Sequence, residues 1–153
     1  MNYLKTILLK KTTLAIIFLL FVNVYVSAQN NKKVIDLCKK AKSELNAKNF
    51  DKTANLLQKA KKIDSTFADI YVIQGDMYNF TLKSPEAADS YNKALSLNPN
   101  LKPILYFITA EEELKCGRYV SAQEHYHTYL DKTLPQCPLL KEVNKGIKTC
   151  EFA

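Results

Sequence analysis

Histidine and serine side chains are the first candidates for chemistry in this sequence. His125 and His127 are the only histidines in 153 residues, and they are two positions apart. Residues at i and i+2 of a helix point to different faces, whereas a metal-binding pair on a helix favours i and i+4. Ser121 is one turn before His125, but no carboxylate in the pattern completes a nucleophilic triad. We predict no enzymatic activity, no metal ion and no cofactor, and we interpret both histidines as half-exposed.

Three consecutive carboxylates, Glu111, Glu112 and Glu113, form a second group that could do chemistry. Paired carboxylates act as acid and base only when both reach the same reacting atoms. Consecutive residues of a helix point in different directions, so these three cannot converge. We therefore predict a solvated helix face, with Glu111 turned toward a binding groove.

The N-terminal segment, residues 1–28, has the pattern of a secretory signal peptide. Three lysines and no acidic residue precede an unbroken apolar run from Leu14 to Val22, and small residues end the segment at Ser27 and Ala28. This order predicts cleavage before Gln29 and an exported protein, periplasmic or associated with the outer membrane. The alternative is an uncleaved anchor helix, but the apolar run is shorter than the ~20 residues that span a bilayer. We expect a short disordered lead-in over 29–33.

Composition excludes several classes of function. Without the three lysines of the signal segment, 19 basic residues face 15 acidic ones, and the net charge falls from +7 to +4. This excess is small and evenly scattered, which argues against a nucleic-acid partner. A weak contact with a membrane or glycan surface stays open. Three glycines and no tryptophan argue against a turn-rich β fold.

The elements that position these residues repeat along the chain. Ala60 and Ala94 lie 34 residues apart in similar surroundings, and a third copy, which runs through Gly117 and Tyr119 to Ala122, follows one residue out of step. In each copy, apolar residues recur at helical intervals on two consecutive segments, which predicts two amphipathic helices. We place the copies at 34–67, 68–101 and 103–136, with Gly117 ending a helix and a last helix over 138–150 as a cap. We expect Ser84 and the pair Thr66 and Asp69 to cap helix starts.

This pattern resembles the tetratricopeptide repeat (TPR) family. The resemblance covers residues 34–153 and implies an all-α fold, a right-handed α-α superhelix of three helix pairs with a C-terminal capping helix. Repeat two matches the consensus most fully, at Tyr71, Gly75, Tyr78, Ala87, Tyr91, Ala94 and Pro99. Gly75 has a packing explanation, because a missing side chain lets the partner helix approach. We expect Leu140, Val143 and Ile147 to cover the third repeat.

The whole arrangement also looks like the N-terminal TPR region of periplasmic proteins in which a β-propeller and an OmpA-like domain follow the repeats. Some of those proteins serve type IX secretion. This resemblance implies a protein partner in the cell envelope. It implies nothing about peptidoglycan binding, because the residues for that function are not in this sequence.

By analogy with the family, one face of each first helix lines a concave groove that binds a partner peptide. The corresponding positions mix apolar and acidic side chains, which suits a peptide with apolar anchors and some positive charge. The alternative is that part of the apolar set only packs between repeats. The groove positions are Ile35, Cys38, Lys42, Asp69, Val72, Asp76, Asn79, Phe80, Ile104, Phe107, Glu111 and Lys115.

Two hypotheses about function follow. In the first, the chain is an exported scaffold that binds a partner in this groove. In the second, it is a structural subunit that docks on a propeller-type partner through its C-terminal cap and has no groove ligand. Cys116 and Cys150, which are one repeat length apart, are a candidate disulfide, and Cys137 is an alternative partner. Neighbouring helices pack about 8–10 Å apart and a disulfide needs Cα atoms within ~7 Å, so this bridge requires an inward tilt of the last helix.

Overall fold

The chain folds as a stack of antiparallel helix pairs in a computed structural model that describes residue 29 and residues 31–153. These residues contain seven helices and no strand, as the repeats predicted. The helices are α1 (31–46), α2 (Phe50–Ile63), α3 (Ala68–Phe80), α4 (Ser84–Leu97), α5 (Ile104–Lys115), α6 (Tyr119–Thr133) and α7 (Leu140–Glu151).

The N-terminal segment needs one correction. The predicted signal peptide, residues 1–28, lies outside the described residues. The lead-in that the sequence predicted to be disordered is helical at residues 29 and 31–33. Val34 is fully buried and holds the first turns of α1 in place, so extending the helix by a few residues adds hydrogen bonds at little cost in entropy. In the described part of the chain, no helix is both long and apolar enough to cross a membrane.

Burial follows the helical spacing of small and branched residues. On α1 the buried residues are Val34, Cys38, Ala41 and Leu45, which form one face, and this face packs with α2 and α3 in an N-terminal cluster. A second cluster extends from α4 to α7 and contains the aromatic residues Tyr91, Tyr106, Tyr126 and Tyr129. Tyr71 of α3 contacts both clusters, so the repeats share one continuous apolar interior.

The turn inside each repeat has the same backbone geometry. Lys48, Leu82 and Gly117 have positive φ angles of 59°, 56° and 71°. After each of them, the next amide donates to a carbonyl of the preceding helix, as in Lys83 to Tyr78 at 2.9 Å and Arg118 to Glu113 at 2.9 Å. This is the Schellman motif that glycine favours at a helix end. Gly117 ends α5 as predicted, whereas Leu82 adopts this conformation without a glycine.

Replacing Leu82 with glycine is expected to stabilise the protein by about 1 kcal/mol, because a residue with a Cβ is strained at positive φ. Leu82 is 90% exposed, so little apolar burial is lost. Thermal unfolding followed by circular dichroism should show a rise in Tm of about 3–6 °C. The reciprocal change, Gly117→Leu, is expected to lower Tm by a similar amount. A lower Tm for Leu82→Gly would contradict this account of the turn.

The predicted helix caps at Ser84 and at Thr66 are wrong. Ser84 is the first residue of α4 and its side chain makes no capping hydrogen bond. The N-cap of α3 is Phe67, also without a side-chain cap. Thr66 instead donates through its amide, at 2.8 Å, and through its hydroxyl to Asp64 Oδ1. An Asp side chain that binds the backbone two residues later forms an Asx turn, and this turn takes Thr66 away from the helix start.

The last helix covers the third repeat with a different set of residues from the one expected. Val143 and Gly146 are buried and Ile147 is partly buried, but Leu140 is 44% exposed. A Cβ on Gly146 would lie 2.6 Å from Tyr126 Oη and closer still to the ring. The tyrosine ring therefore lies directly against the α7 backbone. Leu140 instead lines an exposed face of α7 with Lys141 and Asn144.

Candidate functional site

A cleft opens on the inner side of the stack, where the first helices of the three repeats lie side by side. Its volume is about 370 Å³, within the usual range for ligand pockets. Residues of α1, α3, α5 and the turn before α5 line it: Lys42, Asp69, Val72, Ile73, Asp76, Leu101, Lys102, Ile104, Leu105 and Ile108. Stacking of equivalent helix faces creates this cleft, because residues one repeat apart come to lie beside each other.

Two carboxylates stand over the apolar floor of the cleft. Asp69 is exposed, and Asp76 is half-buried two helical turns further along α3. Tyr91 of α4 donates its hydroxyl to Asp76 Oδ1 at 2.9 Å. Burial raises the pKa of Asp76 above its ordinary value, and the Tyr91 hydrogen bond and the charge of Lys42 only partly oppose this effect. A cationic group placed in the cleft would stabilise the ionised carboxylate and so offset the cost of its burial.

Five of the twelve predicted groove residues line the cleft, namely Lys42, Asp69, Val72, Asp76 and Ile104. Cys38 does not reach it, since only 5% of its surface is exposed, and burial raises the pKa of its thiol to about 11. Phe107 packs instead on the rings of Tyr126 and Tyr129, with centroid distances of 6.0 and 5.6 Å. The remaining five lie outside the cleft lining: Ile35, Asn79, Phe80, Glu111 and Lys115.

The sequence prediction missed half of the cleft. Ile73, Leu105 and Ile108 contribute apolar surface, and Leu101 and Lys102 contribute from the turn before α5. The spacing of Ile104 and Ile108, four positions apart, is a helical signal that could have revealed Ile108. Ile108 was not predicted because the family consensus assigns only some positions of each first helix to the groove, and residue 108 is not one of them.

The carboxylate run on α5 is not a solvated face, which corrects our prediction. Glu112 and Glu113 are 2% and 1% exposed. Glu112 Oε1 accepts from Asn79 of α3 at 2.9 Å and from Lys115 at 2.6 Å. Glu111 accepts from the Tyr126 hydroxyl of α6 at 2.5 Å. Each carboxylate thus reaches a different neighbour, because the run passes around the circumference of a helix packed on several sides.

Glu113 is the centre of a polar cluster that joins three helices. Its Oε1 accepts from Asn92 Nδ2 of α4 at 2.7 Å, and its Oε2 is 2.7 Å from His125 Nδ1 of α6. Burial would raise the pKa of Glu113, but the hydrogen bonds from His125 and Asn92 outweigh that effect, and the pKa lies below its ordinary value. Among the described residues, no buried side-chain nitrogen or oxygen lacks a hydrogen-bond partner. The cluster is fully satisfied.

This cluster supplies the carboxylate beside His125 that the sequence pattern lacked. The order of contacts differs from that of a nucleophilic triad, in which the histidine lies between the hydroxyl and the carboxylate. Here the Ser121 hydroxyl donates to the Arg118 carbonyl at 3.1 Å, so it is not poised on the His125 ring. His125 is partly buried as predicted, whereas His127 is exposed. The hydrogen bonds of the cluster link α4, α5 and α6 to one another.

All four cysteines lie in the described residues and are free thiols. The Cys116–Cys150 bridge is therefore not formed. The contact between Gly146 and the Tyr126 ring sets the position of α7 against α6. The packing of α7 on the stack therefore does not depend on a disulfide.

No protein-family model matches this sequence, and no curated protein matches it. Solved structures do match the fold. The type III secretion chaperone SycD of Yersinia enterocolitica, solved with a peptide of the translocator YopD, aligns with a TM-score of 0.63 at 15% identity, over 79% of this chain and 94% of that one. The TPR2B domain of yeast Sti1, in a complex with pHsp70, gives 0.64 at 17% identity, over 79% and 98%. The TPR domain of Arabidopsis OM64 gives 0.63 at 16%, over 80% and 98%. The described helices therefore have the tetratricopeptide-repeat fold that the repeat spacing predicted.

Proposed function

We propose that this chain is an exported protein-interaction scaffold that binds a peptide or partner segment in the cleft between α1, α3 and α5. The observation that carries the proposal is the lining of the cleft. Val72, Ile104 and Ile108 offer an apolar floor, and the carboxylates of Asp69 and Asp76 stand beside it. The structural neighbours SycD and Sti1 TPR2B, which were solved with a YopD peptide and in a pHsp70 complex, support a peptide as the kind of ligand.

The ligand that suits this lining carries a branched apolar side chain and, next to it, a lysine or arginine. The apolar side chain is desolvated on the floor, and the cation lies between Asp69 and Asp76. Lys42 and Lys102 stand at the edges of the same cleft, so a ligand with one or two cations fits better than a strongly basic one.

The proposed place of action is the cell envelope. The signal-peptide pattern over residues 1–28 supports export to the periplasm or the outer membrane. There the scaffold would hold a partner during envelope or secretion-system assembly, as the resemblance to envelope proteins with TPR regions implies.

We expect Val72→Glu to weaken peptide binding at least tenfold, because a carboxylate on the apolar floor must be desolvated beside Asp69 and Asp76. A displayed library of random dodecapeptides, selected on the protein lacking residues 1–28, supplies the ligands. Fluorescence anisotropy then measures their affinity. Val120→Glu is the matched control, since Val120 is 75% exposed on α6 and does not line the cleft.

Selected peptides should combine an apolar residue with a lysine or arginine. The Asp76→Asn variant should also bind these peptides more weakly than the wild type does. The proposal fails if the selection enriches no peptide, or if the enriched peptides bind the Val72→Glu and Val120→Glu variants equally well.

A further inference from the structure

A cavity of about 1050 Å³ lies on the outer face of α7, away from the groove. Its lining comes from α7 and the two residues after it: Leu140, Lys141, Asn144, Lys145, Lys148, Thr149, Phe152 and Ala153. Phe152 is 87% exposed and Leu140 is 44% exposed, so two large apolar side chains lie open at the two ends of this surface. We call these eight residues the α7 outer face.

The repeat register shows what this face corresponds to in the other repeats. Leu140 follows Tyr106 by one repeat length, and Asn144 follows Ala110 by the same interval. In α5, Tyr106 and Ala110 belong to the cluster that packs against Ala122 and Tyr126 of α6. The α7 outer face is therefore the position at which the second helix of a pair packs, and no described helix covers it.

An aromatic ring packed against the helix does not suit this position. At the equivalent place in repeat two, α3 has Gly75, and the ring of Tyr91 from the second helix lies directly on it. A small residue is required there because the ring and the helix backbone are in contact. Asn144 puts a polar side chain on α7 at this point. The face must therefore receive an occupant that does not bring an aromatic ring against the helix.

The charges of the α7 outer face indicate which kind of partner can bind there. Lys141, Lys145 and Lys148 recur at i, i+4 and i+7 along the cavity and are all exposed. The two acidic residues of α7, Glu142 and Glu151, are not part of the lining. Two copies of this face would bring lysines against lysines, which disfavours self-association. Large apolar side chains stand only at the two ends of this surface, at Leu140 and Phe152, whereas a helix that lies on a membrane presents a continuous apolar stripe.

We propose that the α7 outer face is a second docking surface, for an acidic amphipathic helix of a partner protein. Glutamates or aspartates spaced three to four residues apart on the partner pair with Lys141, Lys145 and Lys148, and an aliphatic side chain packs between Leu140 and Phe152. The surface is separate from the groove between α1, α3 and α5. The protein would then hold two partners at once, one in each place.

The test uses the Val72→Glu variant as bait, so that ligands of the groove are removed beforehand. A displayed library of helical 16-residue peptides is selected on it, and anisotropy gives the affinities of the enriched peptides. They should be acidic and amphipathic, and K141E/K145E/K148E should weaken them at least tenfold. The matched control K39E/K40E/K59E makes the same charge change at exposed lysines of α1 and α2 and should change affinity less than twofold. Phe152→Ser should also weaken binding.

Three results would overturn the proposal. The first is that no acidic peptide is enriched, or that the enriched peptides lose equal affinity to the α7 and control variants. The second is binding of vesicles of phosphatidylglycerol that depends on the α7 lysines, which would make the face a membrane contact. The third is a dimer in sedimentation experiments that K141E/K145E/K148E abolishes. Failure of the groove selection described above leaves this test unaffected.

Discussion

Replacing Gly75 with leucine is expected to lower the free energy of unfolding by about 2 kcal/mol or more, because the site is already filled. A Cβ on Gly75 would lie 2.9 Å from Tyr91 Cζ and closer still to Cε1 and Cδ1. Tyr91 is 1% exposed and its hydroxyl is bound to Asp76. The ring cannot move away without losing both its packing and this hydrogen bond.

Two opposing effects set the size of this change. Leucine favours a helix over glycine by roughly 0.8 kcal/mol, which offsets part of the loss. Overpacking costs about 1–3 kcal/mol, and a lost hydrogen bond to a carboxylate costs about 1.5–3 kcal/mol. The unfavourable terms are the larger ones, so the variant should be clearly less stable.

Urea unfolding measures the effect, followed by circular dichroism at about 222 nm, the helical minimum. Phe80→Leu, at a 56% exposed position of the same helix, is the control and should change stability by less than about 0.5 kcal/mol. In a Tyr91→Ala background the cost of Gly75→Leu should shrink, since the ring that blocks the site is gone. An equal cost in both backgrounds would show that Tyr91 is not the obstacle.

The second large effect is expected at Glu113. Glu113→Leu should lower the free energy of unfolding by about 3 kcal/mol at pH 7, because it leaves the partly buried Asn92 amide and His125 ring without the acceptor that Glu113 provides. Glu124→Leu on the exposed side of α6 is the matched control and should have little effect.

The pH dependence of this effect has a definite sign. The pKa of Glu113 in the folded protein lies below its ordinary value of 4.5. A carboxyl group with a depressed pKa contributes stability that is fully present above the unfolded pKa and is lost as the pH falls through the folded pKa. The gap in stability between wild type and Glu113→Leu should therefore be constant from pH 7 to about pH 5 and shrink below about pH 4.5. A gap that widens toward acid pH, or no gap at pH 7, would contradict this role.

Local sequence signals determined most of the secondary structure. The apolar spacing of the repeats predicted seven helices, and Gly117 marked the end of α5. These features depend on residues a few positions apart, since helix periodicity and a glycine at positive φ are local properties. The turn at Leu82 shows the limit of such signals, because the repeat imposes a positive φ there on a residue that does not favour it.

The cleft was only partly predictable. Family positions on α1, α3 and α5 identified Lys42, Val72 and Ile104, since equivalent faces of stacked helices converge. Phe107 occupies an equivalent position, yet its ring is drawn away by Tyr126 and Tyr129 of the next helix. Which apolar side chains stay open and which pack between repeats depends on the size of their neighbours in space.

By itself, the sequence determined that this protein is an array of paired helices at a regular repeat spacing, with an N-terminal segment patterned for export. Only the tertiary structure decided which of its charged side chains are buried. Hydropathy predicts that Glu112 and Glu113 are solvated because it describes one helix at a time, and their partners Asn79 and Asn92 are 33 and 21 residues away on other helices. A carboxylate can be buried where such donors converge, and their convergence is a property of packing that no single segment encodes.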